Sequence, residues 1–432
     1  MSGTTQDDYT DRYARRVRGM TTSEIRALFA VASRPEVVSL AGGSPYIAAL
    51  PLDAVGEMLG RLASEHGTSS LQYGIGQGTI ELRERICEVM ALSGITHASP
   101  DDVVVTVGGQ QALDLIARLF LDPGDVVLAE GPTYVGALGV FQAAQAQVRH
   151  VAMDADGVIP AALSEAIAAS DGRAKFLYTI PTYQNPAGVT LSAARREEIL
   201  DICAAAGLLV VEDDPYGMLS FEGDAPLPLR ARRRDGVFYV STFSKTFAPG
   251  LRVGWVLAPH AVREKLVMAS EAAILCPSAF AQAALTQYLS TMPWREQIKI
   301  YREIYRERRD ALLAALADLM PAGTTWTRPE GGLFVWATLP EGLDAKAMMP
   351  RAIAARVAYV PGTGFFADGT GRGNMRLNFS FSDPARLREG VRRLAGVMEQ
   401  ELAMRAVFGP GSAGSPRRRG AAAADAPGPD VA

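Results

Sequence analysis

Residues 241–255 read STFSKTFAPGLRVGW and place a lysine just after a predicted buried strand, VFYVST. A side chain at that point projects into a cleft at the carboxyl edge of a parallel sheet. The hydroxyls of Thr242 and Ser244 and the guanidinium of Arg252 can together bind a phosphate. A single lysine is usually a solvated surface residue, but the whole string favours a functional site around Lys245.

Short apolar runs recur through the middle of the chain and read as buried strands. They lack strict polar alternation, which predicts that both faces of the sheet are covered. Helical patterns such as QQALDLIARLF and SAARREEILDICAAAG lie between them, and the second begins with a capping serine and ends with a glycine. The alternation predicts an α/β fold with a mainly parallel sheet. The runs are residues 103–107, 126–130, 176–180, 208–213, 237–242 and 254–258.

A chain of 432 residues is too long for one ordinary core and predicts more than one domain. We expect an N-terminal arm that is also part of a small domain at 1–50, with a helix from Thr22 to Ala32. A large domain is expected at 51–305 and a C-terminal small α+β domain at 306–408. Residues 409–432 lack periodicity and predict a disordered tail.

Composition excludes several classes of function. The net charge of −4 gives no electrostatic case for nucleic acid or an anionic membrane. No apolar run approaches the roughly 20 residues of a membrane span. The three cysteines form no disulfide pattern, which predicts a cytoplasmic protein, and the four scattered histidines predict no metal site.

Two further motifs follow successive predicted strands. LLVVEDDPYGML, at 208–219, ends an apolar strand in acid and continues through Pro to Tyr216. YTIPTYQNPAGVTLS, at 178–192, carries the Asn-Pro turn of Asn185. Each motif alone also fits an ordinary turn, but their positions one strand apart favour a shared site.

VTVGGQQALDL, at 105–115, predicts a strand, two glycines and the start of a helix. Free N–H groups at a helix start bind phosphate, and Gly109 allows the backbone to approach closely. Glycine pairs also occur in plain strand–turn–helix connections. EGPTY follows this unit and carries the aromatic residue Tyr134.

These motifs together resemble the class I and II aminotransferases of pyridoxal-phosphate (PLP) fold type I. The form Thr-Phe-Ser-Lys with Ala-Pro-Gly-Leu-Arg resembles the branch of α-aminoadipate and kynurenine aminotransferases. Many members carry Ser or Gly where Thr242 stands, and threonine keeps the hydroxyl. The resemblance extends from about Arg18 to Met398 and implies a large α/β domain, with a mainly parallel sheet between helices, plus a small α+β domain from both chain ends.

The resemblance assigns cofactor contacts to positions along the chain. Lys245 would hold PLP as a Schiff base and shuttle the proton of transamination. Asp213, chosen over Asp214 by its spacing from Tyr216, would keep the pyridine nitrogen protonated. Tyr134 would stack on the ring. The other implied contacts are Asn185 and Tyr216 at the phenolic oxygen, and Gly109, Gln110, Thr242, Ser244 and Arg252 at the phosphate, with Tyr73 reaching the phosphate of the neighbouring subunit in a homodimer.

The resemblance also implies substrate contacts. Arg376, in MRLNFSF, would bind the substrate α-carboxylate through its bidentate fork, and the backbone of Gly43 would contact the same group. Asn185 would also face the substrate, and Arg18 would meet its side chain. Phe334, in PEGGLFVW, favours apolar or long-chain donors, so we expect broad specificity with 2-oxoglutarate as acceptor.

Two alternatives stay open on the sequence alone. Another PLP reaction, such as a β-lyase or decarboxylase reaction, would use the same cofactor contacts. A non-catalytic effector domain of a transcriptional regulator would need a DNA-binding head. Only about 40 residues precede LAGGSP, and they show no basic helix-turn-helix pattern.

Overall fold

The predicted strands form one large sheet in the computed structural model, which describes residues 9–18 and 34–409. The predicted helix from Thr22 to Ala32 and the predicted tail beyond residue 409 lie outside the described residues. In chain order the strands are β1 Val38–Ser39, β2 Val103–Thr106, β3 Val126–Gly131, β4 Gln147–Asp154, β5 Gly157–Val158, β6 Ala174–Thr179, β7 Leu209–Asp213, β8 Val237–Thr242, β9 Gly254–Leu257, β10 Thr325–Trp326, β11 Phe334–Thr338, β12 Val357–Ala358, β13 Val360–Pro361 and β14 Asn374–Asn378.

Helices pack against this sheet, against the smaller strands and against one another. In chain order they are α1 Arg15–Arg18, α2 Leu52–Ser70, α3 Ile80–Leu92, α4 Gly108–Phe120, α5 Val135–Ala143, α6 Pro160–Ala168, α7 Ala193–Ala205, α8 Leu229–Arg232, α9 Arg263–Ile274, α10 Ala279–Thr291, α11 Trp294–Leu319, α12 Ala345–Ala354 and α13 Pro384–Phe408.

The order of the large sheet is β2-β9-β8-β7-β6-β3-β4-β5. Strands β8, β7, β6, β3 and β4 pair in parallel, whereas β9 is antiparallel to both of its neighbours and β5 to β4. All six predicted strands are present, and their burial on both faces explains why they could be read from apolar runs. Strand β4 was missed because it lies near the sheet edge and is mostly half-exposed, so it shows no apolar run.

Helix α7 corrects one detail of the sequence prediction. Ser192 occupies the N-cap position, but its side chain accepts no capping hydrogen bond, so the prediction of a serine cap is wrong. The glycine predicted to end this helix is present. Gly207 adopts φ +64°, and Leu208 N donates to Cys203 O at 2.8 Å across this turn.

A smaller antiparallel sheet has the order β10-β11-β14-β13. Strand β1 pairs in parallel with β12, so residues near both ends of the described chain pack together. The long helix α11 runs through the predicted domain boundary at residue 305. The domain limits stay predictions. In the described ranges, none of the helices combines the length and apolar character that a bilayer crossing requires.

Candidate active site

The ends of β7 and β8 and the start of α4 open on one cleft of about 410 Å³. This is the carboxyl edge of the parallel strands, where ligands bind in open α/β sheets. The cleft brings together nearly all of the predicted site residues. They are Gly43, Gly109, Gln110, Tyr134, Asn185, Asp213, Tyr216, Thr242, Ser244, Lys245, Arg252, Phe334 and Arg376.

Lys245 lies in the middle of this cleft, and its Nζ donates to Gly43 O at 2.7 Å. Burial and the neighbouring guanidinium groups of Arg376 and Arg252 lower the pKa of Lys245 to about 8, while Asp213 raises it. About a tenth of the amine is therefore neutral at pH 7 and about half at pH 8, and the neutral form is the nucleophile or proton acceptor.

Thr242, Ser244, Arg252 and the start of α4 form a polar part of the cleft that we call the anion cradle. Arg252 Nη1 donates to Ser244 Oγ at 3.2 Å, and Thr242 Oγ1 donates to the same oxygen at 2.9 Å. The first N–H groups of α4 lack helical acceptors and point out of the helix start. Gly108 adopts φ +73°, and a Cβ there would lie 2.4 Å from Arg252 Nη2, so only glycine lets the guanidinium reach the helix start.

A buried carboxyl group, that of Asp213, also lines the cleft. Tyr178 Oη donates to Asp213 Oδ2 at 2.8 Å. Burial raises the pKa of Asp213 to about 7, and the hydrogen bond from Tyr178 lowers it. A cationic ring N–H is the partner that such a carboxyl group needs in order to ionise fully.

Arg376 is held rigidly on the small-sheet side of the cleft. Its Nη1 donates to Asn185 Oδ1 and its Nη2 to Ala41 O, both at 2.9 Å. Its Nε has no hydrogen-bond partner, and burial lowers the pKa of Arg376 to about 10. A substrate carboxylate would supply the missing charge and hydrogen bonds.

Phe334 contacts Arg376 directly. The guanidinium lies 4.0 Å from the Phe334 ring centroid, and the ring meets Tyr216 edge-on at 6.0 Å. Phe334 is only 2% exposed, so nearly all of its surface is covered by other residues, Arg376 and Tyr216 among them. Burial also raises the pKa of Tyr216, which keeps its hydroxyl protonated as a hydrogen-bond donor.

Comparison with known proteins decides the family. The family model "Aminotransferase class I and II" matches residues 36–394. An aromatic-amino-acid aminotransferase of Thermococcus litoralis is 40% identical over 400 residues, which are 91% of this chain and 96% of that protein. The chain belongs to the class I and II aminotransferases.

Two solved structures share the fold. A kynurenine aminotransferase of Pyrococcus horikoshii, solved with PMP, is 38% identical with a TM-score of 0.87, over 92% of this chain and 99% of that one. An α-aminoadipate aminotransferase of Thermus thermophilus, complexed with N-(5'-phosphopyridoxyl)-L-leucine, is 34% identical with a TM-score of 0.85, over the same shares. The aminotransferase is thus a PLP-dependent transaminase of fold type I, and the predictions of family, fold, cofactor and enzyme class are confirmed.

The cleft of this aminotransferase fits PLP. The anion cradle of Ser244, Arg252 and the α4 start suits the phosphate, and the buried Asp213 suits the pyridine nitrogen. Lys245 lines the same cleft. The side chain of Gln110 donates through Nε2 to Gly136 O at 2.8 Å, so its backbone N–H, near the start of α4, is the group that could meet a phosphate.

Tyr73, a predicted site residue, does not line the cleft of the single chain. Tyr73 lies between α2 and α3 and is 78% exposed. Arg18 ends α1, and its side chain lies outside the described part of the structure.

The sequence interpretation missed Tyr178. Tyr178 lies near the carboxyl end of β6 and begins the motif at 178–192 that also carries Asn185. That motif is the signal that could have pointed to Tyr178, although no local pattern identifies Asp213 as its partner.

Proposed function

We propose that this transaminase accepts apolar, aromatic and 2-aminoadipate donors and passes the amino group to 2-oxoglutarate. The observation that carries the proposal is the charge distribution of the cleft. Among the described residues that line it, the cations are Lys245, Arg252 and Arg376, and Leu113, Val135 and Ile180 supply apolar surface. The names of the relatives, which cover aromatic, kynurenine and aminoadipate substrates, agree with this range.

Each residue has a proposed role. Arg376 binds the substrate α-carboxylate, and Asn185 orients that guanidinium through its Oδ1. Neutral Lys245 Nζ takes the α-proton of the donor, because its lowered pKa makes it a base near neutral pH. Bound PLP supplies an electron sink for the developing carbanion. Gly43 contributes the carbonyl that holds Lys245 in place.

A second carboxylate on the substrate needs another cation, and we propose Arg18. Helix α1, which Arg18 ends, packs against α5. The first residue of α5, Val135, lines the cleft. We therefore assign to Arg18 the second carboxylate of a dicarboxylate substrate.

The same proposal includes a homodimer in the cytoplasm. The loop between α2 and α3 exposes Leu71, Tyr73 and Ile75, an apolar surface that a second subunit would cover. Tyr73 would then contribute its hydroxyl to the partner's phosphate site. The free cysteines Cys87 and Cys203 agree with a reducing compartment.

Steady-state kinetics with matched substrates test the donor range and the role of Arg18. Arg18→Ala should lower kcat/KM for 2-aminoadipate and 2-oxoglutarate by about tenfold, the loss of one charge-assisted hydrogen bond. Values for phenylalanine and pyruvate should stay within about twofold, and Arg16→Ala, on the same short helix, should change neither set. An equal loss for all four substrates, or none, would contradict the assignment.

A further inference from the structure

A buried carboxylate, Glu130, lies at the end of β3 outside the cleft. It is 2% exposed, and burial raises its pKa. Its oxygens accept hydrogen bonds from Thr179 Oγ1 at 2.5 Å, Ile180 N at 3.1 Å and Gln184 Nε2 at 2.9 Å. In residues 9–18 and 34–409 no cation forms an ion pair with Glu130. A buried carboxyl group without a cation is costly, so its hydrogen bonds must offset that cost.

The carboxamide of Gln184 connects Glu130 to two loops of the active site. Nε2 also donates to Pro132 O at 2.8 Å, and Oε1 accepts from Ala187 N at 2.7 Å. Pro132 lies two residues before Tyr134, and Ala187 lies two residues after Asn185. One amide group therefore fixes the loop that carries Tyr134 relative to the loop that carries Asn185.

We propose that Glu130 and Gln184 form a buried brace that sets the separation between the Tyr134 ring and the Asn185 amide. Neither brace residue lines the cleft, so both are positioning residues. Through Tyr134 the brace aligns the cofactor ring. Through Asn185 it aligns Arg376, which donates to Asn185 Oδ1. The inference rests on the proposed roles of Tyr134 and Asn185.

The brace affects the geometry of the active site, whereas a contact that only stabilises the fold would not. Loosening it moves an aromatic platform and a carboxylate-binding guanidinium together, because the same amide holds both loops. A misplacement of about 1 Å at reacting groups can lower a rate by about 100-fold. Cofactor geometry and substrate KM should therefore change together when Gln184 is altered.

Gln184→Met tests the brace, because methionine keeps the side-chain length and removes all three carboxamide hydrogen bonds. The control is Gln297→Met on α11, which removes the hydrogen bond from Gln297 Nε2 to Ala49 O without touching the cleft. Visible circular dichroism of the bound cofactor, the cofactor dissociation constant and the donor KM would be measured with the melting temperature. The wild-type cofactor band and turnover, measured alongside, report on the proposed function independently.

The brace predicts that Gln184→Met weakens the visible dichroism and raises both the cofactor dissociation constant and the donor KM by about tenfold or more. Gln297→Met should lower only the melting temperature. A Gln184→Met protein with a lower melting temperature but wild-type dichroism, affinity and KM would overturn the proposal. If Gln184→Met fails to fold, Gln184→Glu is measured by the same dichroism, cofactor affinity and donor KM. Glutamate retains an acceptor for Ala187 N but places a second carboxylate beside Glu130.

Discussion

At the scale of single residues, Lys245 and Asp213 show how the cleft tunes two titratable groups in opposite directions. Burial lowers the pKa of the lysine to about 8 and raises that of the aspartic acid to about 7. Both shifts favour the neutral form, as desolvation dictates. Bound PLP would restore charge to Asp213, because a protonated pyridine nitrogen facing this carboxyl group would provide a cationic partner.

The lowered pKa of Lys245 predicts the pH dependence of cofactor attachment. The neutral amine is the nucleophile, so the rate at which cofactor-free protein binds PLP covalently should rise with pH and level off above a midpoint of about 8. Stopped-flow absorbance across about pH 6 to 10 measures this rate. A midpoint near the ordinary value of 10.5 would show that the cleft leaves the lysine unperturbed.

The raised pKa of Asp213 predicts a change in stability with pH. Between its ordinary value of 3.8 and its folded value of about 7, the folded protein keeps a proton that the unfolded chain has released. Stability from this residue is therefore lost as pH rises through that window. Cofactor-free Asp213→Asn should gain melting temperature relative to cofactor-free wild type between about pH 4 and pH 8. A difference in melting temperature between the two proteins that does not change with pH would contradict the raised pKa of Asp213.

At the scale of elements, the turn from β2 into α4 builds the anion cradle. Gly108→Ala should weaken PLP binding, because φ is +73° and the new Cβ would lie 2.4 Å from Arg252 Nη2. Gly172→Ala is a matched control, since its φ is +72° and nothing lies within 4 Å of its Cβ. Both changes should cost about 1 kcal/mol of stability through left-handed strain. Equal cofactor affinities in the two variants would count against the cradle.

Elements buried on both faces were predictable from sequence, and elements defined by distant partners were not. The six apolar runs became six strands because their burial leaves no polar alternation. Strand β4 was not predicted because its mostly exposed or half-exposed residues form no continuous apolar run. In the site, Lys245 and Arg252 share one motif, whereas Tyr178 and Glu130 depend on partners 35 to 54 positions away. No local pattern marks such pairs.

At the scale of the whole molecule, the apolar surface between α2 and α3 predicts the oligomeric state. Ile75, 63% exposed, lies in this surface with Tyr73. Ile75→Asp should convert the dimer to monomers and raise the cofactor dissociation constant, because the proposed partner tyrosine is lost. Val407→Asp is the control, since Val407 is 75% exposed at the end of α13. Light scattering after size exclusion, with cofactor titration, measures both effects. A monomeric wild type would contradict the prediction.

The absorbance spectrum of the purified protein, titrated with amino acids and repeated for Lys245→Ala, tests whether Lys245 is the catalytic lysine of a transaminase. We expect a lysine-bound cofactor band at roughly 360–430 nm that an amino donor bleaches and 2-oxoglutarate restores. Lys245→Ala should lack both the band and the conversion. A wild-type protein that shows no band after PLP is added, or a band that no amino acid converts, would contradict the assignment of Lys245 as the catalytic lysine of a transaminase.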